Sequence, residues 1–143
     1  MYLLDVNVLV ALLDPAHVFH ERASRWFASI HPQTWATCPI TENGVLRILT
    51  LPRYRNSPGG LAAVARYLLE LQEIPEHVFW ADDFSLISGN RVSITALPSP
   101  SQITDSYLLA LAVAHEAKFV TFDRRISTGA VLGGPQALFI LNE

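Results

Sequence analysis

Residues 103–123 read "ITDSYLLALAVAHEAKFVTFD". From Thr104 to Ala117 this is the strongest helical pattern in the chain, with Thr104 as a natural N-cap and Asp105 in the first turn. "KFVTFD" at 118–123 then reads as a short buried strand that ends on an acid. A helix that delivers the chain into a short apolar strand is the unit from which parallel α/β sheets are built.

The same alternation runs through the rest of the chain. Residues 2–5 read as a strand and "VNVLVALL" (6–13) as an apolar helix. "HVFHERASRWFASI" (17–30) places Phe19, Ala23, Trp26, Phe27 and Ile30 on one helical face. "TWATCP" (34–39) is a second strand closed by Pro39, after which Thr41 and Glu42 open a helix with Val45, Leu46, Ile48 and Leu49 on its inner face. "LPRYRNSPGG" (51–60) is a loop, and Leu61, Val64, Ala65, Leu68 and Leu69 mark a further amphipathic helix. "HVFW" (77–80) predicts a strand, 83–91 a short helix, "TALPSPSQ" (95–102) a loop, and "ALFIL" (137–141) the last strand. No segment is long enough to separate two domains. The expectation is one domain over residues 1–143, of α/β class with a mostly parallel sheet.

Composition supports a globular chain. Half of the 143 residues are hydrophobic and 16% are charged, enough to bury one substantial core. The net charge of -3 does not advertise a nucleic-acid binder, although local charge distribution can override it. A single cysteine, Cys38, excludes an internal disulfide framework and reads as a small buried hydrophobe. The start has no basic segment before its apolar run, and no stretch approaches a membrane span. The expected location is cytoplasmic, with no membrane contact.

The 13 acids fall into two sets. Asp14, Glu21, Glu70, Glu73, Glu76, Asp82, Asp83, Glu116 and Glu143 read as solvated surface. Asp5, Glu42, Asp105 and Asp123 each stand at a strand end or a helix start, and in a parallel sheet those positions share one edge. Carboxylates brought together there repel one another unless a cation neutralises them, and all-oxygen ligands favour Mg²⁺ or Mn²⁺. Such ions serve phosphodiester hydrolysis by activating water and stabilising the leaving oxygen. The bland reading is that Glu42 and Asp105 only cap their helices.

With these residues in view, the chain resembles the PIN-domain nucleases, most closely the VapC toxins of bacterial toxin–antitoxin systems. "LLDVNVLVALL" resembles that family's first strand and supplies Asp5 and Asn7. "ITENGVLRIL" resembles the second motif and supplies Glu42, and "ITDSYLLALAVAHEAKFVTFDRR" resembles the third and fourth together, supplying Asp105 and Asp123 with Thr121 in a T-x-D pattern. The resemblance implies a three-layer α/β/α sandwich, one or two Mg²⁺ or Mn²⁺ ions at the acids, and endoribonuclease action on tRNA, rRNA or mRNA. It also implies a homodimer and a small VapB-type antitoxin. Where some relatives carry a further acid near the last motif, Arg124 and Arg125 follow Asp123 here.

In roles, Asp5, Asp105 and Asp123 are expected to hold metal, and Glu42 to bind metal or its activated water. Asn7 and Thr121 would orient Asp5 and Asp123 by hydrogen bonds. Arg47, Arg53, Arg55, Arg124 and Arg125 are candidate contacts to RNA phosphate. His17 and His20, i and i+3 on a helix, lack a third partner for a metal. The rival readings are a PIN-like binding scaffold with silent acids and a haloacid-dehalogenase-like phosphatase. The phosphatase would need D-x-D where this chain has Asp5 and Asn7, and a lysine for which only Lys118 is available. A receiver-type phosphoacceptor domain lacks its paired acids.

Overall fold

The computed structural model describes residues 1–141; Glu143, read as a surface acid, lies outside them. Its strands are β1 (Tyr2–Leu4), β2 (Trp35–Thr37), β3 (His77–Phe79), β4 (Lys118–Thr121) and β5 (Leu138–Ile140). They form one sheet in the order β3-β2-β1-β4-β5, and every neighbouring pair is parallel. The strands are only three or four residues long, so the sheet needs cover on both faces, and the helices supply it.

Alternation along the strands divides that cover. Leu3, Ala36 and Phe119 point to one face, where they pack with Leu108 to Ala112 of α5 (Ile103–Ala114) and Ala137 of α6 (Gly134–Ala137). Leu4, Trp35 and Val120 point to the other face. There they meet α1 (Val6–Leu13), α2 (His20–Ser29), α3 (Pro39–Leu49) and α4 (Leu61–Gln72). The result is the three-layer α/β/α sandwich, with a wholly parallel sheet. No helix of the described residues is long and apolar enough to cross a membrane.

The strand order places a topological switch at the centre. From β1 the chain steps outward to β2 and β3, then returns through α5 on the opposite face to β4, on the other side of β1. Ligand crevices in such sheets open beyond the carboxyl ends of the strands at that switch. Asp5 and Asp123 follow β1 and β4 there. The two helices that start at this edge on one face, α1 and α3, are in contact: a Cβ on Gly44 would stand 2.5 Å from Val6 Cγ2.

Three expectations are corrected. Residues 83–91 form no helix. Ser85 Oγ accepts from Ile87 N at 3.3 Å, Gly89 takes φ +124°, and Phe84 stacks on Tyr107 with centroids 4.4 Å apart, so local side-chain bonds and packing displace the helix. Thr104 is not the N-cap of α5, because a 3-10 turn at Pro100–Gln102 runs into the helix and Gln102 holds that place. Asp14 is not solvated. Only 4% exposed, it accepts from Tyr54 Oη at 2.6 Å and Asn56 Nδ2 at 3.2 Å, and so pins the 51–60 loop to the end of α1. Its burial raises its pKa, but these two hydrogen bonds prevail and hold it below the usual value.

Candidate active site

Asp5 is 7% exposed and is tied on both carboxylate oxygens. Oδ1 accepts from Val6 N at 2.7 Å, so the residue caps α1. Oδ2 accepts from Asn7 Nδ2 at 2.8 Å and from Thr121 Oγ1 at 2.6 Å. Burial pushes its pKa up to about 6; the hydrogen bonds oppose this, and the negative charges of Asp105 and Asp123 add to it. Asp5, Asp105 and Asp123 therefore share one electrostatic environment. Sequence spacing alone could not have shown that.

Thr121 and Asn7 join the two strand ends. Thr121 Oγ1 donates to Asp5 and accepts from Asn7 Nδ2 at 2.9 Å and from Asp123 N at 3.0 Å. Asn7 Oδ1 in turn accepts from Phe122 N at 3.1 Å. With Thr121 fully buried, this net fixes the backbone that carries Asp123 relative to Asp5.

Asp123 faces a different neighbour. Arg125 grips it with Nε on Oδ1 at 3.0 Å and Nη2 on Oδ2 at 2.9 Å, and its backbone N–H donates to Oδ1 at 2.8 Å. These charge-assisted bonds hold the Asp123 pKa below the usual carboxylate value. Asp105, in the first turn of α5, is raised by burial and then by Asp123, with Arg125 partly offsetting. A cavity of about 210 Å³ opens between Asp105, Asp123, Arg125, Ser101 and Gln102.

Glu42 is directed elsewhere. Its Oε1 accepts from Thr37 Oγ1 at 2.7 Å and Gln72 Nε2 at 2.6 Å, and His77 Nε2 lies 2.8 Å from the Thr37 hydroxyl. Because the Thr37 hydroxyl donates to Glu42, it accepts from His77, which fixes the proton on Nε2. Thr37, Gln72 and His77 come from β2, α4 and β3. Sequence reading missed them, and their spacing in the chain carries no signal that could have found them. Ser101 and Gln102 were missed as well, inside a stretch read only as loop.

Arg47, Arg53, Arg55, Arg124 and Arg125 are all exposed, and Arg125 alone of these pairs with a site acid. His17 and His20 do not face a common point: His17 Nδ1 accepts from Phe19 N, and His20 Nδ1 bonds Ala11 O. Cys38 is fully buried, and Trp35 and Trp80 lie in the core.

The donor chemistry fits a hard divalent cation. Asp5, Asp105 and Asp123 offer only oxygens, and a cation would relieve the charge that burial and mutual repulsion penalise. No group of three or more His, Cys, Asp or Glu side chains among the described residues is drawn together as a finished cation site. The hydrogen bonds say why, since Asp123 is gripped by Arg125 and Glu42 by Thr37 and Gln72.

The sequence profile of the PIN domain matches residues 2–131. Ribonuclease VapC44 of Mycobacterium tuberculosis is 47% identical over 131 residues, covering 92% of each chain. Ribonuclease VapC38 of the same organism is 40% identical over 128 residues, covering 90% of this chain and 89% of that one. Among solved structures, M. tuberculosis VapC20, described as a Sarcin-Ricin loop cleaving toxin, superposes with a TM-score of 0.62 at 12% identity, over 92% of this chain and 97% of that one. That likeness confirms the sandwich.

Proposed function

The chain belongs to the PIN-domain family, and from that premise we propose that it is a metal-dependent endoribonuclease, the VapC-type toxin of a toxin–antitoxin pair. The observation that carries this reading is the placement of Asp5, Asp105 and Asp123 at the switch-point edge of the sheet, where Asp5 feels the negative charge of both other acids and Asp105 that of Asp123. A phosphodiester is a polyanion, and three bare carboxylates would repel it. A divalent cation held by the acids would offset that repulsion.

In this reading Asp5, Asp105 and Asp123 hold the ion. An ion held there would supply positive charge to offset the phosphate and would lower the pKa of a water bound to it. Water adds to phosphorus, and one P–O ester bond breaks with its oxygen leaving protonated. Thr121 and Asn7 keep Asp5 ionised and aimed by donating to Oδ2. Glu42 serves through Oε2, the oxygen that the Thr37 and Gln72 bonds leave unused. The exposed Arg47, Arg53, Arg55 and Arg124 supply phosphate contacts along the RNA.

A VapB-type antitoxin and a homodimer belong to the same proposal, as does action in the cytoplasm on tRNA, rRNA or mRNA. In support of a protein partner, Leu61 and Leu69 of α4 are each 62% exposed, and Leu69 lines a groove with Leu46, Ala65 and Leu68 that runs to Glu42 and Gln72. The scaffold reading has one observation in its favour: Asp123 and Glu42 are both engaged by other side chains.

Incubation of the purified chain with total RNA in Mn²⁺, Mg²⁺ or EDTA, beside Asp105→Asn, decides between them. The nuclease reading expects cleavage that needs metal and is lost in the variant. An intact RNA pool under all metal conditions would favour the scaffold.

A further inference from the structure

The mode of engagement between Arg125 and Asp123 goes beyond a surface ion pair. The guanidinium takes both Asp123 oxygens, the atoms a coordinated cation would take. It also lies in the field of Asp105, the second acid lining the same cavity. Yet the Arg125 side chain is 87% exposed, so water and salt screen the pair, and its hold on Asp123 is weak enough to exchange.

The backbone at Arg125 is secured separately. Its N–H donates to Asp123 Oδ1, and its carbonyl accepts from Gln102 Nε2 at 3.3 Å. Gln102 Oε1 also accepts from Ser127 N at 2.7 Å, on the far side of the same turn. The side chain can therefore leave Asp123 without unfolding the turn. The cavity of about 210 Å³ is many times the roughly 10–15 Å³ that a single water needs, so it leaves room for a ligand beside the two acids.

We propose that Arg125 is the resident counter-cation of the acid crevice, competing with the divalent ion for Asp123 and, once displaced, binding the RNA phosphate that enters the same cavity. This rests on the nuclease reading above. Where a further acid would add a ligand, this chain places a guanidinium that guards one ligand and then serves the substrate. Arg124 supplies the control: it is the same residue type one position earlier, exposed, and without a hydrogen-bonded carboxylate among the described residues.

Mn²⁺ binding, followed without RNA by the electron paramagnetic resonance of the free ion, reads the competition directly. Arg125→Gln is expected to tighten Mn²⁺ about three- to ten-fold, and Arg124→Gln, with equal charge loss, by less than about two-fold. At saturating Mn²⁺, Arg125→Gln is expected to raise the KM for RNA several-fold more than it lowers kcat. Equal Mn²⁺ affinity in wild type and Arg125→Gln, equal tightening in both variants, or an unmoved KM would each overturn the assignment. Absence of Mn²⁺ binding in wild type and variants alike would overturn the metal reading itself.

Discussion

Thr121 and Asp5 stand 116 positions apart in the chain, and the Thr121 hydroxyl donates to Asp5 Oδ2 at 2.6 Å. Thr121 Oγ1 itself accepts from Asn7 Nδ2 and from the backbone N–H of Asp123, so one buried hydroxyl ties the end of β1 to the end of β4. The positions of two candidate ligands thus depend on a residue that is not expected to touch metal.

Thr121→Val keeps the shape and removes the hydroxyl. Its three partners lose a bond inside the fold, which should cost about 1–3 kcal/mol. Mn²⁺ affinity should fall about 10- to 100-fold, because the hydrogen bond that orients Asp5 Oδ2 is lost. Urea denaturation and Mn²⁺ titration check the two effects. A variant that lost stability but bound Mn²⁺ as well as wild type would show that Thr121 only holds the fold.

Asp5 also predicts a pH dependence. Its folded pKa of about 6 lies above the ordinary 3.8, so the folded chain holds the proton more tightly than the unfolded chain. That contribution is fully present below about pH 3.8 and is lost as pH rises through about 6. Asp5→Asn cannot ionise. Its stability relative to wild type should therefore rise by about 2 kcal/mol between pH 4.5 and 7.5 in EDTA. A difference that stays constant across that range would place the Asp5 pKa near its unfolded value.

Gly44 allows α3 to approach α1. Gly44→Ala would set its Cβ 2.5 Å from Val6 Cγ2, and separating the helices should cost about 1–3 kcal/mol. Val6→Ala removes the clashing methyl groups. The double variant should recover part of the loss, despite the further truncation. A thermal-melt cycle with no coupling between the two sites would contradict the contact.

The 51–60 loop carries Arg53 and Arg55 on either side of Tyr54, whose hydroxyl donates to buried Asp14. Tyr54→Phe should destabilise the chain by about 1 kcal/mol. It should also speed tryptic cleavage after Arg53 and Arg55, because the anchor between them is gone. Unchanged digestion would mean that the Asn56 bond to Asp14 suffices to hold the loop.

The sequence alone determined the architecture and the positions of the candidate acids along it. Short apolar runs separated by helical spacing admit few arrangements other than a parallel sheet covered on both faces, and β1 to β5 formed where those runs lie. The places of Asp5 and Asp123 just past their strands followed from the same pattern, because the pattern is local. Residues 83–91 were misread because Phe84 stacks on Tyr107 and Gly89 takes a positive φ, neither of which a periodic pattern records. Asp14 was misread because its burial comes from Tyr54 and Asn56, about 40 residues away.

Only the tertiary structure decided how the acids are held. Asp5 feels the charge of Asp105 and Asp123, while Glu42, in the same family pattern, points its Oε1 at Thr37 and Gln72. Chain position sets which edge of the sheet a carboxylate reaches. Its hydrogen-bond partners, supplied by β2, α4 and β4, set which way it turns and what charge it carries, and those partners meet only when the sheet assembles.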